Sequence, residues 1–332
     1  MWAIGWFSPK NECNRGMQHT DKRHLVLKII PSPYLLLVIA TVIWGGNFVV
    51  GRAVHEDIGP LSLNFWRWVL SGLLLAPYGI WGLRNNIALI KKHIRLLGVL
   101  AFSGMVMFHS LIYAALHTTS AINAGMVLAS MPLVIPVVSF IAAEDRLSLR
   151  QGFGIAISFV GVGVIITRGN IDILLGLSFA VGDILVLAAV VMWSVYSVLL
   201  KRLPKGIPPM VVLATINWMA VVMLLPGYLW ELSTLGGFQV SSSNMMAISY
   251  VAIFASIIAF VSWNRAVQTV GPNRSGLFIH VIPISSAVLA IIFLGETIEV
   301  YHIVGIVPIV IGILLTTYRS DNKNSNRQGT SQ

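Results

Sequence analysis

The chain has 332 residues, of which 56% are hydrophobic and only 10% are Asp, Glu, Lys or Arg, and its mean hydropathy is +0.83. Soluble domains carry roughly 25% charged residues, so the composition excludes an ordinary soluble protein and predicts an integral membrane protein. The net charge of +10 does not signal nucleic acid, because the basic residues stand in short clusters between apolar runs rather than along one face.

The first thirty residues are polar and mixed, without the continuous apolar core of a cleaved signal peptide,. Met17 opens a basic stretch, MQHTDKRHLVLK, and would serve as well as a start. Cys13 is the one cysteine, which excludes an internal disulfide framework,. A membrane-crossing helix needs about 20 mostly apolar residues. Such runs lie at 34–54, 61–83, 96–116, 120–143, 149–167, 183–200, 207–230, 245–264, 275–295 and 300–318. Ten crossing helices are therefore predicted. The runs are continuous rather than alternating, which excludes a β-barrel. With the N-terminus in the cytoplasm, nineteen of the 22 Lys and Arg fall on that side. Arg52 and Arg168 fall on the other and Arg67 within a span. This bias predicts that both termini are cytoplasmic.

The chain also matches itself. A shift of 151 residues sets Ala115 on Ala266, Gly125 on Gly276, Pro132 on Pro283, Asp145 on Glu296 and Gly161 on Gly312. A shift of 149 sets Trp44 on Trp193 and Pro60 on Pro209. The reading is an all-α membrane protein of ten transmembrane helices arranged as two inverted five-helix repeats. Residues 1–33 form a cytoplasmic tail, 34–168 the first repeat, 176–319 the second, and 320–332 a second tail. Inverted repeats are typical of secondary transporters, which expose a central site alternately to the two sides.

In chain order, Trp44, Asn47, Phe48 and Gly51 share one helix face,. A lipid-facing amide costs several kcal/mol, so this face points inward, with Asn47 either joining helices or lining a cavity. Arg67 lies about 9 Å below the outer surface, at 1.5 Å per residue. It either snorkels there or acts as a fixed cation for a substrate carboxylate or phosphate. His109 and His280 are titratable groups inside spans, available for helix–helix hydrogen bonds or for proton transfer. Tyr113 reads equally as an interfacial belt residue. Pro132 and Pro283 lie mid-span and are candidate hinges or static kinks. Asp183 reads as an N-cap, and Asp145 and Glu296 as cap or loop groups. Trp193 and Tyr196 mirror the first Trp face, and Trp263 and Asn264 close span eight. With no Asp or Glu in a membrane interior, a neutral, zwitterionic or anionic substrate is expected rather than a cationic drug.

Five segments together resemble the EamA-type transporters of the drug/metabolite transporter superfamily over about residues 34–318. They are IWGGNFVVGRAV, NFWRWVLSGLLL, YAALHTTSAINAGMVLASMPLV, WNRAVQTVGPNRSGLFIHVIPI and FLGETIEVYHIVGIVPIVIGILL. The first half departs at AAEDRLSLRQGFG, where the register selects Asp145 rather than Glu144 opposite Glu296. The resemblance implies a metabolite transporter, commonly an exporter, in a bacterial inner membrane, and makes Arg67 a general rather than substrate-specific feature. The expected partners are a small-molecule substrate, such as an amino acid or related compound, and the lipid bilayer. No nucleic acid, metal or cofactor is expected, and the oligomeric state stays open. A lipid-carrier flippase and a non-transport receptor are the alternatives. An enzyme is not expected, since His55-Glu56 lacks the second His of a zinc site,.

Overall fold

The computed structural model describes residues 32–142, 149–175, 180–200, 202–203, 206–270 and 277–317. Asp145, Cys13, residues 1–31 of the first expected tail and all of the second lie outside these residues. The described chain is helical: α1 Pro33–Ala53, α2 Pro60–Lys92, α3 Ile94–Leu100, a π-helical segment Ala101–Met107, and α4 Phe108–Ala115. These are followed by α5 Ala121–Leu128, α6 Met131–Ile141, α7 Leu149–Ile166, α8 Ile171–Leu175, α9 Val181–Leu200 and α10 Pro209–Leu235. The last part comprises α11 Ser242–Ser249, a second π segment Tyr250–Ile258, α12 Ala259–Val270, a 3₁₀ turn Leu277–His280, α13 Val281–Leu294 and α14 Val300–Thr317.

The expected ten crossings in two inverted five-helix repeats need correction. Among the described residues five helices are long and apolar enough to cross: Pro33–Ala53, Ile94–Ala115, Val181–Leu200, Pro209–Leu235 and Ser242–Ala266. A sixth arises if Ala121–Leu128 and Leu133–Ile141, bent by 49°, count as one crossing. The runs at 149–167, 275–295 and 300–318 supply shorter apolar helices, Gly152–Ile166, Phe278–Leu294 and Val300–Gly312. Hydropathy counts composition, whereas a crossing also needs an unbroken helix. The run at 61–83 does form one long helix, but Ser62, Asn64, Arg67 and Ser71 dilute its apolar character.

The proline expectation changes for a related reason. Pro132 and Pro283 sit in the first turns of α6 and α13, immediately after a helix break. A first-turn N–H has no intrahelical partner, so neither proline cancels a helical bond in the way a mid-helix proline does.

Packing pairs α14 with α7, α2 with α10, α1 with α13 and α12, and α9 with α4 and α6. Gly45 and Gly46 permit the α1 contact. A Cβ on Gly45 would run into the Ser285 side chain on α13, and one on Gly46 into the Tyr250 hydroxyl. Two acidic side chains fasten the helix starts. The Glu231 carboxylate, at the end of α10, accepts from the N–H of Leu61 at 3.0 Å and of Ser62 at 2.8 Å. Glu296 does the same for Ala121 and Ile122 at 2.9 and 3.0 Å. Each satisfies two orphan donors at a positive helix terminus, so the capping role expected of Glu296 falls on α5 rather than its own helix.

The apolar core forms two clusters, and Trp44 and Trp193 border both. Gly45→Val should lower the apparent melting temperature of the detergent-solubilised protein by the equivalent of about 1–3 kcal/mol, the usual cost of overpacking, while Gly152→Ala, which meets open space, should leave it unchanged.

Candidate functional site

Arg67 is completely buried on α2, so it does not snorkel. Its Nε donates to Ser256 Oγ at 2.5 Å, and its Nη1 donates to Tyr113 Oη at 2.8 Å and to Asn47 Oδ1 at 3.3 Å. Tyr113 Oη donates in turn to Asn47 Oδ1 at 2.8 Å. All three partners are neutral. The guanidinium carbon lies 4.8 Å from the centre of the Trp68 ring, a cation–π contact that offsets part of the desolvation cost. Nη2 is buried without a hydrogen-bond partner, and no carboxylate among the described residues pairs with Arg67. Tyr113, expected as an alternative belt residue, is 2% exposed and belongs to this network.

Local backbone geometry explains how these groups are held. A π-helical turn bonds i to i+5 and leaves carbonyls that an α-helix would satisfy. In the first π segment, the Met105 carbonyl accepts from Asn64 Nδ2 at 3.1 Å and Trp68 Nε1 at 3.3 Å. In the second, the Ala255 carbonyl accepts from Trp44 Nε1 at 3.1 Å. Ser256 Oγ donates to the Val251 carbonyl at 2.8 Å, leaving its lone pairs for Arg67. The two π segments thus flank Arg67 and anchor the polar edges of Trp44 and Trp68.

Next to this network lies a cavity of about 50 Å³ lined by Trp44, Asn47, His109, Trp193, Phe260 and Trp263, among others. Trp44 meets Trp193 edge-on with centroids 6.3 Å apart and Trp263 at 5.4 Å. His109 stacks edge-on against Trp68 at 5.4 Å, and its buried Nδ1 has no partner. Small-molecule sites occupy about 300–1,000 Å³, so the walls must part to admit a metabolite. Asn47 both lines the cavity and binds Arg67, which places the cation one hydrogen bond behind the wall.

Of the residues singled out from the sequence, Trp44, Asn47, His109, Trp193 and Trp263 line this cavity, and Arg67 stands directly behind it. Tyr196 and Asn264 line a neighbouring cavity of about 290 Å³ that shares Phe260 with the first. The rings of Trp193 and Tyr196, 5.1 Å apart, stand between the two. His280 and Pro283 line a separate apolar groove with Met126 and Ile306. Sequence reasoning missed Ser256 and Phe260, although Ser256, Phe260 and Trp263 recur at helical spacing on one face.

Two acidic side chains are buried within the protein near helix ends. Glu231 is 4% exposed and Asp183 fully buried. Asp183 does not act as a simple N-cap, because its carboxylate accepts from Thr119 Oγ1 at 2.5 Å and, more weakly, from Asn123 Nδ2 at 3.4 Å. In the turn after α4, burial and the neighbouring His55 hold His117 below the usual imidazole range,.

The EamA-like transporter family model matches the chain twice, at residues 31–167 and 180–318. The chain belongs to this family. The uncharacterized transporter YyaM of Bacillus subtilis is 26% identical over 286 residues, covering 85% of this chain and 92% of its own. A transporter of Archaeoglobus fulgidus is 24% identical, covering 86% and 96%. A probable amino-acid metabolite efflux pump of Salmonella typhimurium is 25% identical, covering 85% and 94%. A solved crystal structure at 20% identity superposes with a TM-score of 0.55 over 86% of this chain and 96% of that one, and supports the fold. The chain is an integral membrane transporter rather than an enzyme.

The Asn47–Tyr113–Arg67 triangle makes a direct prediction. In a double-mutant cycle, Asn47→Leu and Tyr113→Phe should couple by about 0.5–3 kcal/mol in unfolding stability, since both act on one shared network. Additive effects would mean that the triangle is not a unit.

Proposed function

We propose that this transporter carries small carboxylate-bearing metabolites, amino acids or close relatives, and exports them by exposing the Trp44–Trp193 cavity alternately to the two sides of a bacterial inner membrane. The observation that supports this reading most is Arg67. A fully buried guanidinium costs several kcal/mol to desolvate, and here its bonded partners are neutral and two of its five N–H donors, on Nη2, are unused. A carboxylate entering beside Asn47 would supply both the missing charge and a planar acceptor matched to the guanidinium fork. The indole walls suit the apolar remainder of such a substrate, and the Salmonella relative is a probable amino-acid metabolite efflux pump.

Counterflow in proteoliposomes tests it. With a panel of labelled neutral amino acids, the wild-type protein should exchange at least one, and Arg67→Gln should lower its exchange by about tenfold or more, in line with the loss of a charge-assisted hydrogen bond. Arg67→Lys should fall between the two, because it keeps the charge but loses the fork. A panel without any exchange, or an unaltered rate in Arg67→Gln, would contradict the reading; exchange of amphiphiles alone would favour a flippase.

A further inference from the structure

At the Val181 end of α9, a polar recess of about 590 Å³ opens between the helix ends, lined by Arg52, Thr119, Asn123, Arg168, Glu296 and His302, among others. Its floor is built in three layers. His302 is fixed as a neutral tautomer: its Nδ1 accepts from the Glu299 N–H at 2.9 Å, so the proton lies on Nε2, which donates to Asn123 Oδ1 at 2.8 Å. This bond turns the Asn123 amide so that Nδ2 faces Asp183. Beneath both lies the Asp183 carboxylate, without solvent exposure and without a cation in ion-pair range among the described residues. Its contact with the recess runs through the Thr119 hydroxyl, which faces the recess and donates to Asp183 Oδ1.

The same spot is where α9 comes closest to the α4–α5 turn. A Cβ on Gly182 would stand 2.5 Å from the Ala115 carbonyl oxygen and 2.7 Å from Thr118 Oγ1. The ionised carboxylate and the missing side chain therefore hold the start of α9 onto that turn. Farther along α9 stand Trp193 and Tyr196, the rings between the two cavities. A buried carboxylate held by neutral donors alone is a costly arrangement that one proton removes.

We propose that Asp183 is a proton-binding site, filled from the polar recess through the Thr119 hydroxyl, whose protonation releases α9 from the α4–α5 turn and couples substrate movement to proton uptake. The proton comes from water in the recess and ends on an Asp183 carboxylate oxygen, and the Thr119 and Asn123 hydrogen bonds to that carboxylate weaken as its charge disappears. The other ionisable groups around it are Arg52 at the end of α1, which donates to the Leu116 carbonyl of the turn, Arg168 after α7, Glu296 before α14, and Glu299, Tyr301 and His302 at its start. The coupling to substrate rests on the transport reading above; the proton-dependent release does not.

Hydrogen–deuterium exchange of the full chain in nanodiscs, corrected for intrinsic rates, separates the two. Between about pH 8 and about pH 5, amides of 115–123 and 181–187 in the wild-type protein should lose about tenfold in protection as pH falls. Asp183→Asn, a near-isostere, should be weakly protected at every pH. Thr119→Val, which removes a donor to the charged form, should release α9 at a higher pH than wild type. Flat protection in the wild type, or a transition that survives Asp183→Asn and vanishes in His302→Gln, overturns the assignment. In proteoliposomes exchanging an amino acid, an inward proton gradient should accelerate efflux in the wild type and not in Asp183→Asn. Equal acceleration in both overturns the coupling while leaving the carrier reading intact.

Discussion

A single buried cation organises the centre of this protein. Arg67 is withdrawn fully from water and membrane surface alike, and every atom that answers it is neutral: a tyrosine hydroxyl, an asparagine carbonyl and a serine hydroxyl. Such an arrangement is tolerable only if its donors are held closely, because the desolvation cost of an ion in a low-dielectric medium is many times that of a neutral hydrogen bond. Asn47 comes from α1, Tyr113 from α4 and Ser256 from the second π segment, so one guanidinium ties three separate elements to α2. The π segments, the edge-on and tilted indoles and the glycine-mediated approach of α1 to α13 all bring those elements within range of it.

The polar edges of the aromatic residues share that logic. In a membrane interior an indole N–H has few acceptors, since most helix carbonyls are already bonded within their own helix. The π turns release carbonyls at Met105 and Ala255, and Trp68 and Trp44 take them. The Trp44 face is then free to line the cavity, with its polar edge satisfied by the Ala255 carbonyl. The cavity is therefore apolar in its walls and charged just behind them, a combination suited to a solute with an apolar body and one anionic group.

Much of this centre was legible in the chain itself. Trp44, Asn47 and Gly51 announce an inward face through helical spacing, and Arg67 stands out as a charge within an apolar run. What escaped were features set by distant partners or by helix continuity. Asp183 follows a glycine at a helix start and so reads as a cap; only the approach of Thr119 and Asn123, more than fifty residues earlier, makes it a buried carboxylate. Tyr113 reads as a belt residue until Arg67 is placed beside its hydroxyl. The count of ten crossings failed because an apolar run does not show the break before Pro132 or the 3₁₀ turn before Pro283, and because the polar residues of α2 leave that helix less apolar than the other long ones. His280, apolar in its neighbours and mid-run in sequence, lines an apolar groove separate from the Trp44–Trp193 cavity.

The central claim is that Arg67 is reserved for an anion brought by the substrate. Thermal-shift titration of the solubilised protein with neutral amino acids, each set beside its α-carboxamide, isolates that charge, since a ligand raises stability by RT ln(1 + [L]/Kd). The account predicts stabilisation by at least one acid and little or none by its amide, with the difference abolished in Arg67→Gln. Equal stabilisation by acid and amide, or a preference for the acid that persists in Arg67→Gln, would contradict it.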